Sequence, residues 1–269
     1  MGRRLRQVTR QRGRGRIAAV VDPDEYSRDG YAVIRGFASA DHARALRNAA
    51  VALARAAAAR EPIAPAFVTP EANLSDRPTT NAEDKVSKVF RVHRQEPFGS
   101  FASRPDLLDL IAALMGTDAI DCFSSQFIFK NPGAWGQPCH QDSFYFPFEP
   151  ARPVVGAWLA ATDASLDNGV LYVVPGSAAE PVHEHVPDRR PNANYGYYEI
   201  VDHDVSNAIP VEMEAGDLLL FDSHLMHFSN DNTSDRWRAA MVYHYAPHGT
   251  IDHTLEQRGY TIHDWMQVR

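Results

Sequence analysis

Cysteine is nearly absent: 269 residues contain two, Cys122 and Cys139. Two thiols cannot build the multi-bridge framework of a small secreted domain. Cys139 is expected to be a buried free thiol, pointing away from the face used by its neighbour in a strand. Long apolar runs are missing too. No stretch approaches the roughly 18 apolar residues that a membrane-spanning helix needs. The chain opens on arginines rather than on the apolar core of a secretory leader. A cytoplasmic protein without a membrane partner is therefore expected. Acid is missing from one place. Residues 1–16 hold Arg3, Arg4, Arg6, Arg10, Arg12, Arg14 and Arg16 and no Asp or Glu. The formal net charge is −7, so the remainder carries −7 − 7 = −14. An acidic body repels nucleic acid, so no such partner is expected, and residues 1–23 read as a basic, solvated arm.

Hydrophobic content of 44% and charged content of 23% place residues 24–269 among ordinary globular chains, of a length that one domain can fill. Asp29-Gly30 reads as a turn into a short strand, and Ser39 as the cap of a helix reaching Arg60. Residues 61–82, rich in Pro, Thr and Asn, read as a loop. Pro105 to Met115 is a second amphipathic helix, stopped by Gly116. The helical period then gives way to short strands at 119–130, 140–146, 154–162, 169–174, 208–213, 217–222, 225–229 and 238–246. Asn131-Pro132-Gly133, Asp167-Asn168-Gly169, Pro175-Gly176-Ser177 and Ala215-Gly216-Asp217 mark turns. Helices followed by many short strands predict a mainly β fold with flanking helices, a jelly roll or barrel. Residues 179–207, with several Asn and Tyr, are too long for a tight turn and read as a lid over the barrel mouth.

The chemistry starts at His140-Gln141-Asp142. In a strand, residues two apart point the same way. One imidazole and one carboxylate on one face make two thirds of a 2-His-1-carboxylate site, the triad that holds iron while leaving positions open for substrates. His227 lies 85 residues after Asp142, and Arg238 a further 11 along. An arginine near the metal has a use: its permanent charge meets a carboxylate through two parallel hydrogen bonds, as the far end of a keto-acid cosubstrate would require. His224 competes with His227 as the distal ligand, and Arg236 with Arg238. His183 and His185 read as solvated loop residues. His244 and His248 fall at a strand end and just past it, with no role assigned.

Several segments together resemble the phytanoyl-CoA dioxygenase family: His140 to Phe148, Ala157-Trp158-Leu159-Ala160, Asn168-Gly169-Val170-Leu171 with Pro175-Gly176-Ser177, and Gly216-Asp217 through Arg238. Asp29-Gly30-Tyr31 fits as well, so the resemblance covers most of residues 24–246. It implies a double-stranded β-helix of cupin-like type, with Fe(II), 2-oxoglutarate and O2 as cofactor and cosubstrates. It implies His140, Asp142 and His227 as iron ligands and Arg238 as partner of the 2-oxoglutarate C5 carboxylate. Lys88, with Lys85 as a rival, would touch the cosubstrate. Gln126 and Gln141 would touch the cosubstrate or support the ligands from behind, and Trp158 and Phe144 would be walls of the substrate pocket. Ala178 departs from the family, which often has a histidine there.

The implied reaction is hydroxylation of an unactivated C–H bond in a small molecule or natural-product intermediate, releasing succinate and CO2. The retained Asp142 argues against halogenation, in which related enzymes replace the carboxylate. Desaturation, epimerisation or cyclisation stays open. So do a cupin-type metal enzyme that does not use 2-oxoglutarate and a non-catalytic jelly-roll module.

Overall fold

A computed structural model describes residues 21–261 and 263–269. Most of the basic arm expected over residues 1–23 therefore lies outside the described residues. Its last residues belong to ordered structure. Asp22 caps helix α1 (Pro23–Asp29), accepting from the backbone N–H of Asp24 at 2.9 Å, and Pro23 occupies the first turn. Strand β1 (Tyr31–Ile34) and helix α2 (Ala40–Ala58) follow. Ser39 caps α2, as its sequence predicts. Residues 61–82, expected as a loop, contain β2 (Phe67–Pro70), which pairs with β3 (Val86–Phe90). Phe67 lies opposite Phe90 and the rings stack at 5.0 Å, so cross-strand packing overrides a Pro- and Thr-rich composition. Helices α3 (Phe98–Ala102) and α4 (Pro105–Met115) complete the helical part, and α4 ends on Gly116 at φ 70°.

The rest is β4 (Ile120–Lys130), β5 (Phe148–Glu149), β6 (Val155–Ala160), β7 (Leu171–Val173), β8 (His185–Pro187), β9 (Tyr198–Ile200), β10 (Ile209–Val211), β11 (Leu218–Asp222), β12 (His227–Ser229), β13 (Arg238–Pro247), β14 (Ile251–Asp252), helix α5 (Thr254–Arg258) and β15 (Met266–Gln267). The large sheet runs β1-β11-β6-β13-β4-β3-β2 with β15 beside β4, and a small sheet runs β10-β7-β12. Every pairing is antiparallel, and neighbours are mostly distant in sequence. This is the expected mainly β jelly roll with helices on one face.

Alternation along β13 sorts the layers. Ala239, Met241, Tyr243 and Tyr245 face out and pack with Leu46 of α2, Phe101 of α3 and Ile111 of α4. Burying a large side chain such as Leu46 or Ile111 contributes about 1.5–3 kcal/mol. The Tyr243 and Tyr245 hydroxyls donate to the carbonyls of Phe98 (2.9 Å) and Ala102 (3.0 Å), so α3 is hydrogen-bonded onto the sheet. Arg238, Ala240, Val242 and His244 alternate with these and face in, towards the small sheet. There Ala240 and Val242 join Trp158, Phe221, Leu171 and Val211 in a second core. The space between the two sheets is where polar side chains can be held dry.

Residues 140–146, expected as a strand, are not one. His140 makes a single bridge to His227, and Asp142–Tyr145 is a 3-10 turn. Asp142 and Ser143 favour turns, and Pro147 has no N–H to extend a ladder. Residues 179–207 carry the small β8–β9 hairpin. Asn194 ties it down, donating to Glu71 Oε1 (2.8 Å) and accepting from the Ala72 N–H (2.7 Å). Among the described residues no helix is long and apolar enough to cross a membrane.

Candidate metal centre

His140 and His227 exchange two backbone hydrogen bonds of 3.0 Å, so they sit directly opposite each other with side chains on one face. Their ring centroids are 4.2 Å apart. Asp142, opening the 3-10 turn, closes the group. Its Oδ1 lies 3.5 Å from His140 Nε2 and 3.8 Å from His227 Nε2, and all three residues are buried. Backbone carbonyls decide the tautomers. His140 Nδ1 is 2.8 Å from the Pro138 oxygen and His227 Nδ1 is 2.9 Å from the Leu225 oxygen. A carbonyl only accepts, so both Nδ1 atoms carry hydrogen and both Nε2 lone pairs face the carboxylate.

Burial pushes the His227 imidazole down to about 4, the His140 charge adds to this, and Asp142 opposes it, so the ring is neutral at pH 7. Burial acts to raise the Asp142 carboxyl, but His227 and His244 together bring it well below the usual range. Three lone-pair donors thus converge in a dry space with no proton between them. Two neutral imidazole nitrogens and one carboxylate oxygen are the donor set for a divalent iron-like cation, whose bonds of about 2.1 Å can bridge atoms this far apart. The residues fit the ion.

His244, given no role from the sequence, lies well inside β13 and is 1% exposed. Its Nε2 is 2.8 Å from Asp142 Oδ2. A count by twos from Arg238 along the same strand (238, 240, 242, 244) would have put it on the inward face.

Arg238 is buried, and its Nε–H donates to the Gly169 carbonyl at 2.9 Å. Its guanidinium carbon lies 5.7 Å from the Trp158 ring centroid, which places Trp158 as a wall beside it. Burial pushes its pKa down to about 10, and among the described residues no carboxylate pairs with it. A buried cation without a counter-ion is costly and makes a seat for an anion. Lys130, missed from the sequence, pairs with Arg238 across the sheet. Its Nζ is spent on Trp135 O, Ser229 Oγ and Asn230 O, each at 3.0 Å, and burial pushes its pKa well below the usual lysine value. Gly169 must be glycine: at φ 84° an added Cβ would meet Lys130 Cδ at 2.3 Å.

Lys88 and Lys85 lie in different surroundings. Lys88 is buried, donates to Gln137 Oε1 at 3.2 Å and lies 4.9 Å from the Tyr197 ring centroid, whereas Lys85 donates to the Ser75 carbonyl at the surface. Through the register Lys88↔Ile128↔Ala240 it shares the inward face with Arg238. Gln126 and Trp158 both oppose Val242 and share it too. Gln137, also missed, bridges Lys88 to His140, its Nε2 being 3.0 Å from His140 Nε2. Arg236 pairs with Asp167 in solvent and is no rival to Arg238. His224 lies in the turn before β12, its Nδ1 3.2 Å from the Glu180 carbonyl, away from the cluster.

Gln141 requires a correction. Expected as a cofactor contact, it is fully buried and spends its amide on backbone. Nε2 donates to the carbonyls of Pro181 (3.1 Å) and His224 (2.8 Å), and Oε1 accepts from the His183 N–H (2.8 Å). It anchors the base of the 179–207 insertion. His185 is likewise not solvated. Its Nε2 accepts the Gln141 N–H at 3.0 Å, its ring stacks on Phe144 at 4.3 Å, and burial pushes it down to about 4. Phe144 and Tyr145 meet Tyr198 of the insertion at 4.9 and 6.0 Å, forming an aromatic wall beside His140. At the surface, Glu180, His183 and His203 form a second group with metal-ligating atoms within 4.8 Å of one another.

A family model described as phytanoyl-CoA dioxygenase (PhyH) matches residues 26–240. The chain is 32% identical over 171 residues to the peroxisomal phytanoyl-CoA dioxygenase of Bos taurus, covering 61% of this chain and 50% of that one. It is 31% identical over 174 residues to a probable phytanoyl-CoA dioxygenase of Caenorhabditis elegans, covering 62% and 56%. The chain thus spans about half the length of these curated relatives. Among solved structures, the non-heme monooxygenase ThoJ superposes with a TM-score of 0.68 at 19% identity, covering 92% of this chain and 83% of that one. The epimerase SnoN, in complex with Fe3+, alpha ketoglutarate and nogalamycin RO, gives 0.63 at 18%, covering 86% and 84%. The carbocyclase SnoK gives 0.64 at 18%, covering 90% and 94%. At these identities the likeness shows the fold.

Proposed function

This chain belongs to the phytanoyl-CoA dioxygenase family, and from that premise we propose that it is an Fe(II)- and 2-oxoglutarate-dependent dioxygenase hydroxylating a C–H bond of a small molecule. The observation that carries the reading is the buried convergence of His140 Nε2, His227 Nε2 and Asp142 Oδ1. His140, Asp142 and His227 would hold the iron, which together with 2-oxoglutarate and O2 supplies the oxidising chemistry and releases succinate and CO2. The chain's own residues do the rest. The backbone oxygens of Pro138 and Leu225 keep both imidazoles in the ligating tautomer. Arg238, buried and without a counter-ion among the described residues, would take the far carboxylate of 2-oxoglutarate against Trp158, and Lys88 adds a second positive charge on the same face. Phe144, Tyr145 and Tyr198 shield one side of the mouth from water and offer an apolar surface to the substrate.

Substrate identity rests on chemistry alone. A body carrying −14 outside the first 16 residues does not attract a polyanion, which favours a small, weakly charged or neutral metabolite. The test is an anaerobic titration with Fe(II) and then 2-oxoglutarate. A weak visible charge-transfer band is expected, and no band would count against the reading. His140→Ala and Asp142→Ala should abolish substrate-dependent succinate formation. A second reading comes from the epimerase and the carbocyclase that share this fold: the outcome would be inversion or ring closure. Turnover under 18O2 separates the two, because succinate takes one labelled oxygen in either case and hydroxylation alone leaves the other in the substrate-derived product.

A further inference from the structure

Asp142 has two carboxylate oxygens with different surroundings. Oδ1 faces His140 and His227 at 3.5 and 3.8 Å, and Oδ2 faces His244 Nε2 at 2.8 Å. A carboxylate can bind a cation through one oxygen or through both. Binding through both would take up a position that the facial arrangement leaves open for substrates. The 3-10 turn that Asp142 opens does not itself settle which oxygen faces the histidines.

We propose that His244 is a positioning residue, holding Asp142 Oδ2 through its Nε2–H so that only Oδ1 is left for a metal ion bound with His140 and His227. The inference rests on the metal-centre reading above.

The surroundings of His244 support the role. Its ring is packed among Phe146, Phe123 and Phe221, at centroid distances of 5.0, 6.0 and 6.1 Å. Its Nδ1 is buried with no hydrogen-bond partner. A carboxylate only accepts, so a hydrogen sits on Nε2 facing Oδ2, and the buried Nδ1 is left unsatisfied. A phenyl ring would fill this aromatic cage without that cost. What the imidazole adds is the single Nε2–H directed at Oδ2. Gly156 makes the space: it lies opposite both His244 and Phe221, and an added Cβ would meet the Phe221 ring at 2.3 Å. One strand, β13, thereby carries both the candidate cosubstrate anchor and the holder of the carboxylate, six residues apart (244 − 238) on one face.

The experiment is anaerobic Co(II) binding, read by affinity and by the visible ligand-field spectrum, with the thermal midpoint of the metal-free protein alongside. His244→Phe should weaken Co(II) by about 10- to 100-fold and alter the spectrum, while the metal-free midpoint changes little or falls, because Asp142 Oδ2 loses its buried partner as the unpaired Nδ1 is removed. His244→Gln, whose amide nitrogen reaches the Nε2 position, should recover wild-type affinity to within a few-fold. His244→Asn, too short to reach, should not. The proposal is overturned if His244→Phe binds Co(II) like the wild type with the same spectrum, or if the Gln and Asn variants are equally weak or equally tight. If His244→Phe does not fold, the Gln and Asn pair decides. Wild type that binds no Co(II), or that binds it equally well as His140→Ala, overturns the metal-centre reading and this inference with it. Tight wild-type binding through His140 with no effect of His244→Phe removes only the inference.

Discussion

Replacing Arg238 by methionine should make the protein without cosubstrate more stable and nearly blind to 2-oxoglutarate. Arg238 is 2% exposed and has one bond, from Nε to the Gly169 carbonyl. Burial lowers its pKa from 12.5 to about 10, a difference worth roughly 3 kcal/mol against folding while no anion is bound. Methionine removes that penalty and fills much of the volume, but leaves the Gly169 carbonyl unpaired, at about 1–3 kcal/mol. The net expectation is a gain of roughly 0–2 kcal/mol, raising the melting midpoint by up to several degrees for a domain of this size. The cosubstrate sees the opposite. Removing one partner of a buried, hydrogen-bonded charge pair costs about 2–5 kcal/mol, a Kd weakened roughly 30-fold to several thousand-fold. Iron affinity should stay within a few-fold, because Arg238 is not part of the triad. Scanning fluorimetry under argon, with Fe(II) and 2-oxoglutarate each titrated in turn, reads all three quantities. A variant that melts earlier yet keeps its 2-oxoglutarate shift would show that Arg238 is a structural cation, and the anchor assignment would fall.

Other outcomes follow from the same geometry. Lys88→Met should raise the 2-oxoglutarate KM by about tenfold and leave Fe(II) binding intact, since a partly hydrogen-bonded charge is worth about 1.5 kcal/mol; unchanged KM would return Lys88 to a packing role. Burial holds His185 near 4, so the folded protein stays neutral there while the unfolded chain takes up a proton between about pH 6.5 and 4. Stability should therefore fall with pH across that window, by up to roughly 3 kcal/mol for this group. His185→Phe should flatten part of the slope in urea midpoints taken at pH 7.5 and 4.5, with other imidazoles that burial lowers, His227 and His93 among them, still contributing, and an unaltered slope would contradict the burial argument. Gln141→Ala strips the partners from Pro181 O, His224 O and the His183 N–H. Amides of residues 180–200 should then exchange faster by hydrogen–deuterium mass spectrometry, while β13 stays protected. Phe101→Ala, in the outer core, should cost about 3–5 kcal/mol without moving metal affinity.

Much of the helical part was legible locally. Pro105 and Gly116 bracket α4, and Ser39 starts α2, because caps and breakers act through a few neighbouring residues. The inward face of β13 was legible from alternation, and that rule applied past Arg238 reaches His244. Alternation also suggested that His140 and Asp142 share a face. They do, but through one bridge and a 3-10 turn rather than a strand. Three features had no local signal. The pairing of His140 with His227, the bond from His244 to Asp142 and the use of Gln141 to anchor the insertion join residues 87, 102 and about 40 positions apart. Residue types and spacing determined the donor chemistry and the alternation of the strands. Sheet register decided which histidines meet, that Asp142 turns Oδ1 to two of them and Oδ2 to the third, and that Arg238 is buried with no carboxylate partner among the described residues. Those depend on where distant backbones pair and on how dry the space between two sheets becomes, and neither exists until the chain has folded.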